Sequence, residues 1–118
     1  MITGSVTEDG TPIIAVSVGG QAWQATIDTG FNSYLELPES MRALFQPQFL
    51  MEAIFFLAAG QRIVQNVYEI DFPFDGQIIR ANVTFVDSPD ILIGTELLQD
   101  YRLEIDFPAM TVLLERVA

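Results

Sequence analysis

Residues 21–33 read QAWQATIDTGFNS. The alternation of apolar and polar residues from Gln21 to Ile27 predicts a half-buried strand, and that strand runs straight into Asp28, Thr29 and Gly30. A carboxylate delivered this way loses part of its hydration, so its surroundings either compensate it or use it. General acid and base work by carboxylates is also the main chemistry open to the chain. Its 118 residues include no cysteine and no histidine, which excludes thiolate and imidazole metal sites, cysteine nucleophiles and every Ser-His-Asp arrangement. A second feature follows much later in the chain: ILIGTELL, residues 91–98, an apolar triplet ending at Gly94. Alone, Asp28 reads as a turn aspartate bonding its own backbone ahead of a glycine. Both features together favour a catalytic carboxylate.

These residues need elements to position them, and the chain supplies strands. Turn signals at Asp9-Gly10, Gly19-Gly20, Ala59-Gly60-Gln61, Asp75-Gly76 and Pro108-Ala109 separate runs rich in Val, Ile, Thr and Phe. The pattern predicts strands at 2–7, 12–18, 21–27, 34–37, 50–57, 62–72, 77–86, 101–107 and 111–117. Two short helices are expected, at 39–45 after Pro38 and at 96–100 with Thr95 as cap. Without long crossover helices the strands should pair as antiparallel hairpins in one all-β domain, residues 1–118, closed as a barrel or sandwich. The pentapeptide EIDFP occurs at 69–73 and 104–108, and each copy reads as a strand ended by proline. The sequon Asn82-Val83-Thr84 falls inside a strand and reads as chance.

Half of the residues are apolar and 18% are charged, the profile of a packed globular chain. Sixteen acidic residues against five arginines and no lysine give a net charge of -11, which repels phosphate backbones, so no nucleic-acid partner is expected. The excess acid otherwise reads as a solvated surface. MITGSVTEDG lacks a basic and an apolar signal region. The apolar run 49–59 contains Glu52 and is well short of the roughly 20 residues that span a bilayer. A cytoplasmic location and no membrane partner are the expectations.

IDTGF followed by LELP, and then ILIGTELLQDYRLEIDF, resembles the retropepsin-like (clan AA) aspartic proteases, in particular the microbial single-domain DTGF type. The resemblance spans nearly the whole chain. It implies an all-β acid-protease barrel with one short helix after the ILIG segment, and an endopeptidase that works as a homodimer. One domain supplies one catalytic Asp28, and the two-fold axis would bring its copy beside it. Thr29 and Gly30 would support the loop, with Thr29 bonding across the dimer and the Gly30 amide holding the carboxylates. Phe31, Leu92, Ile93 and Gly94 would lie behind the loop or line the substrate pocket. The hairpin at Ala58, Ala59, Gly60 and Gln61, with Phe55, Phe56 and Leu57 on its arms, would be a flap over a polypeptide substrate. No metal or organic cofactor is implied. The terminal segments 2–6 and 112–117 would pair across the dimer.

Three positions depart from the family pattern: Phe31 where alanine or serine is common, Ala59 where aspartate is common, and Thr95 where retroviral members carry arginine. A retropepsin-like barrel can also persist as a catalytically silent dimerisation or peptide-binding module, and the intact Asp28-Thr29-Gly30 argues against that alternative. D-x-G-x-x-S also resembles the phosphate loop of actin-like and sugar kinases. Those need two large domains and further phosphate loops, which this chain lacks.

Overall fold

The computed structural model describes all 118 residues. Ten strands follow one another along the chain: β1 (Ile2–Val6), β2 (Pro12–Val18), β3 (Gln21–Ile27), β4 (Leu35–Pro38), β5 (Gln48–Phe56), β6 (Arg62–Phe74), β7 (Gln77–Val86), β8 (Ile91–Ile93), β9 (Tyr101–Asp106) and β10 (Thr111–Arg116). They form a single sheet in the order β5-β6-β7-β4-β8-β3-β2-β1-β10-β9. The sheet curls so that β2 lies against β6. Ile14 and Val16 of β2, Leu35 and Leu37 of β4, Phe72 of β6 and Leu114 of β10 turn into the core thus enclosed. No helix of the structure is long and apolar enough to cross a membrane.

The all-β expectation holds, and local chemistry explains the hairpins. Gly19-Gly20 joins β2 to β3 and Asp75-Gly76 joins β6 to β7; all four residues have positive φ, as two-residue hairpin turns require. The pairing is not purely antiparallel, however. β8 sits between β3 and β4, parallel to β3 and antiparallel to β4, and β4 runs parallel to β7. Thus β3 and β4, consecutive in the chain, are separated in the sheet by a strand that comes much later.

Several expectations are corrected. The helix foreseen after ILIG is a run of turns over Thr95–Asp100. Leu98 N donates to Thr95 O and Tyr101 N to Leu98 O, while the amides of Thr95 and Glu96 go to carbonyls of another loop, so no α-helical ladder starts. The expected helix at 39–45 is a 3-10 stretch, Glu39–Leu44, with Met41 its one buried side chain; without an apolar stripe there is nothing to sustain α-turns. Pro73 does not end its strand. Phe74 and Gln77 close the hairpin, so Pro73, paired with Ile78, directs its nitrogen away from β7, on the side where β5 has already ended at Gln48 opposite Glu69. The second EIDFP does terminate, β9 stopping at Asp106.

The terminal strands also find partners within the chain. β1 pairs with β10 along Ile2–Ser5 and with β2 on its other side, and β10 pairs with β9. β10 is thus paired on both sides within the chain, whereas β1 meets β2 only at Ser5 and Val6, which leaves Ile2–Gly4 outside that second ladder. The free edges of the sheet are β5 and β9.

Candidate active site

Because β8 lies between β3 and β4, the chain leaving β3 must cross the end of β8 before it can enter β4. The crossing is the Asp28-Thr29-Gly30 loop. Four hydrogen bonds stitch it to the segment it crosses: Asp28 N to Ile93 O at 2.9 Å, Gly94 N to Tyr34 O at 2.9 Å, Thr95 N to Phe31 O at 2.9 Å and Glu96 N to Ser33 O at 3.1 Å. The crossing is close enough to dictate a residue. A Cβ on Gly94 would stand 2.1 Å from Ser33 O and 2.8 Å from the Phe31 ring, so only glycine fits. Leu97 and Leu98 then bury themselves in the core and anchor the far side.

At the crest of the loop the Asp28 carboxylate is half-buried and accepts a hydrogen bond from Gly30 N at 2.9 Å, which fixes its orientation. Gly30 is also spatially constrained, since a Cβ there would lie 3.3 Å from Asp28 Oδ1. Thr29 and Gly30 are exposed. The Phe31 ring rests against Gly94 and at the same time borders the cleft above Asp28. Thr95 Oγ1 is directed at Phe31 O rather than at a helix terminus.

That cleft has a volume of about 320 Å³ and lies between the loop and the hairpin of β5 and β6. Asp28, Gly30, Phe31 and Leu92 line one side, and Phe55, Phe56, Leu57 and Ala58 the other. Of the positions singled out from the sequence, Thr29, Ala59, Gly60, Gln61, Ile93 and Gly94 do not line it: Ile93 is fully buried in the core beneath, and its neighbour Leu92 faces the cleft. Ala58–Gly60 forms a one-turn 3-10 tip, closed by Leu57 N donating to Gln61 O, with Ala59 in the left-handed region at φ 64°. A concavity of about 400 Å³ elsewhere holds one carboxylate, Asp75, which already accepts from the Tyr101 hydroxyl at 2.7 Å. Burial and that contact push the Tyr101 hydroxyl up to about 12.

Glu36, Ile63 and Gln65 also line the Asp28 cleft and were not singled out from the sequence. Burial, and then the charge of Asp28, raise the Glu36 carboxyl above the ordinary glutamate range. A glutamate between two leucines next to the Asp-Thr-Gly loop was the available signal. In a strand it reads as a solvent-facing position, and only the sheet order turns it toward Asp28.

No family model matches the sequence, and no curated protein matches it. Solved structures do. A retropepsin-like aspartic protease from Rickettsia conorii superposes with a TM-score of 0.67 at 18% identity, over 98% of this chain and 89% of that one. The EIAV protease complexed with the inhibitor HBY-793 gives 0.60 at 17% identity, over 80% of this chain and 90% of that one. The foamy viral protease-reverse transcriptase in complex with RNA/DNA hybrid gives 0.60 at 21%, over 80% of this chain and 13% of that one. The fold of this chain is retropepsin-like.

Proposed function

We propose that this chain, with its retropepsin-like fold, is an aspartic endopeptidase acting as a homodimer, Asp28 of each copy forming the catalytic pair. The observation that carries the reading is the oriented, half-buried Asp28 carboxylate at the floor of a cleft roofed by an apolar hairpin. One such carboxylate per chain calls for a second copy, and the exposed Thr29 and Gly30 flanking it leave the loop open to a symmetric partner.

Two carboxylates facing each other cannot both ionise freely, so they hold one proton between them. The charged one takes a proton from a water as its oxygen attacks the peptide carbonyl; the protonated one gives its proton to the carbonyl oxygen. Collapse of the resulting diol returns a proton to the leaving nitrogen and breaks the C–N bond. The Gly30 amide holds the carboxylate in place throughout. The hairpin, with Ala58–Gln61 at its tip, acts as the flap. It closes over an extended substrate, excludes water, and offers main-chain groups for strand addition.

Peptide-library cleavage followed by mass spectrometry, comparing the wild type with Asp28→Asn at equal mass in solution, tests this. Cuts at apolar sites should fall by at least about 100-fold in the variant, and the rate per chain should drop on dilution as dimers separate. Activity should also vanish as pH rises and the pair loses its shared proton. Equal cleavage by both proteins overturns the reading. A folded wild-type dimer that binds peptides and cuts none supports the silent module instead.

A further inference from the structure

Glu36 is a charged side chain with no partner in a mostly apolar place. Register shows how it comes to be there. Thr26 of β3 pairs with Leu92 of β8, Leu92 with Glu36 of β4, and Glu36 with Thr84 of β7. Residues in register on adjacent strands share a face, so Thr26, Leu92, Glu36 and Thr84 form one row across four strands. Their neighbours Ala25, Ile27, Ile91, Ile93, Leu35, Leu37 and Val83 turn the other way, into the core. Of this row, Leu92 and Glu36 line the cleft on the side of Asp28, and Thr84 is buried next to Glu36.

Two members of that row lack the partners their chemistry demands. The Glu36 carboxylate, half-buried among Leu92, Phe55 and Ile63, makes no ion pair, because the arginines are placed elsewhere. Arg42 pairs with Glu39, Arg80 with Asp71 and Arg102 with Glu104, while Arg116 donates to the Ala118 carbonyl. Arg62 is exposed opposite Phe56 on the hairpin, and the chain has no lysine. Beside Glu36 the Thr84 hydroxyl is 3% exposed and has no hydrogen-bond partner. A buried hydroxyl and a half-buried carboxylate side by side, both unpaired, are the pattern of a site awaiting a donor.

We propose that Glu36 determines specificity: its carboxylate receives the lysine or arginine side chain of a peptide lying across Asp28. The inference rests on the peptidase reading for its cleavage arm and on peptide binding alone for the rest. The apolar walls Phe55, Ile63 and Leu92 suit the methylene stem of such a side chain. Its charged head compensates Glu36 and brings N–H donors to that carboxylate, with the Gln65 amide across the cleft. A net charge of -11 draws cationic peptides in from solution.

The experiment walks a single Lys, Arg, norleucine or Glu along an otherwise apolar peptide and reads kcat/KM for each. Wild type should favour Lys or Arg over norleucine at one position by about 10- to 100-fold, and Glu36→Gln, which keeps the shape and removes the charge, should bring that ratio near one. An unchanged ratio in Glu36→Gln overturns the proposal. A second arm needs no variant at position 36. Asp28 is the one titratable group acting on Glu36, the neighbours from β5, β6, β7 and β8 being Phe55, Ile63, Gln65, Thr84 and Leu92. Since both peptides share the Asp28 pair, their ratio isolates Glu36. Its raised carboxyl regains a proton at higher pH than an ordinary glutamate, so the Lys preference should fade on acidification, and a ratio flat with pH overturns the proposal. Binding of the same peptides to Asp28→Asn separates the two readings. Lys preference in binding without any wild-type cleavage defeats the peptidase and keeps the role of Glu36. Equal or absent binding defeats the role of Glu36.

Discussion

In the core directly beneath the cleft floor Ala25, Leu35, Leu37 and Ile93 have no exposure, whereas on the hairpin facing that floor Phe56 is 76% exposed, Val64 63% and Ile54 54%. Both regions are apolar β structure; they differ in how many neighbours hold them. β8 is paired on both sides, by β3 and β4, and β4 by β8 and β7. β5 is a sheet edge, and β6 pairs with β7 only from Tyr68 onward, so Arg62–Val67 has β5 alone for company. That end of the hairpin is a free two-stranded ribbon, apolar on its inner face through Phe55 and Ile63 and on its outer face through Ile54 and Val64. A ribbon of this kind is marginal by itself in water. The core side of the floor strands is therefore apolar for stability, and the hairpin is apolar for what it covers or is covered by.

The largest test of that contrast is Gly94→Ala. The new Cβ would meet backbone oxygens 2.1 and 2.7 Å away, and neither can move without breaking the bonds that stitch the Asp28 loop down. The expected cost is about 3 kcal/mol or more, a fall in Tm of order 10 °C, read by thermal denaturation. A Tm within a degree or two of wild type would mean that the loop crossing is loose, and the floor would lose its claim to rigidity.

A smaller effect is expected on the other wall. Ile54 and Val64 face each other directly across the hairpin. Replacing both by threonine keeps β-branching and should cost no more than about 1 kcal/mol, against about 2 to 5 kcal/mol for Leu35→Ala in the floor. Denaturant midpoints at equal slope measure both. If the hairpin pair proved as costly as Leu35, its outer face would be buried in solution, against a second copy, and the contrast would dissolve.

What could be read from the sequence follows the same division. β2, β3 and β7 begin and end where alternation and turn residues place them, because each signal is local: Gly19-Gly20 at one end, Asp75-Gly76 at another. β8 stands out in the sequence as a motif and not as a strand, since three residues are too few to show a period. Its insertion between β3 and β4 is a non-local pairing that no local pattern records, and the chain crossing it creates is what lifts Asp28 out of the sheet. For the same reason Phe31 and Leu92 could be named while Glu36 and Thr84 could not. The first two flank recognisable motifs; the other two acquire meaning only when parallel β4 and β7 set them side by side. Pro73 misled because the rule against proline in strands holds only where its nitrogen must donate.

The finest test lies at the hairpin tip, where Ala59 holds φ 64° and ψ 23° with no tertiary neighbour to impose it. The left-handed conformation costs an alanine about 1 kcal/mol, which glycine escapes. Glycine, however, loses more freedom on folding, by about 0.4 to 1 kcal/mol, so in Ala59→Gly the two effects nearly cancel and Tm should shift very little. What should change is motion. With the backbone at residue 59 free to leave the left-handed well, the bond from Leu57 N to Gln61 O should open more often, and hydrogen exchange at Leu57 should quicken while exchange at Asp28 and Gly94, bonded within the floor, stays as it was. Faster exchange at all three amides would show that tip and floor open as one unit, and the hairpin could not then close over the cleft independently of the loop that carries Asp28.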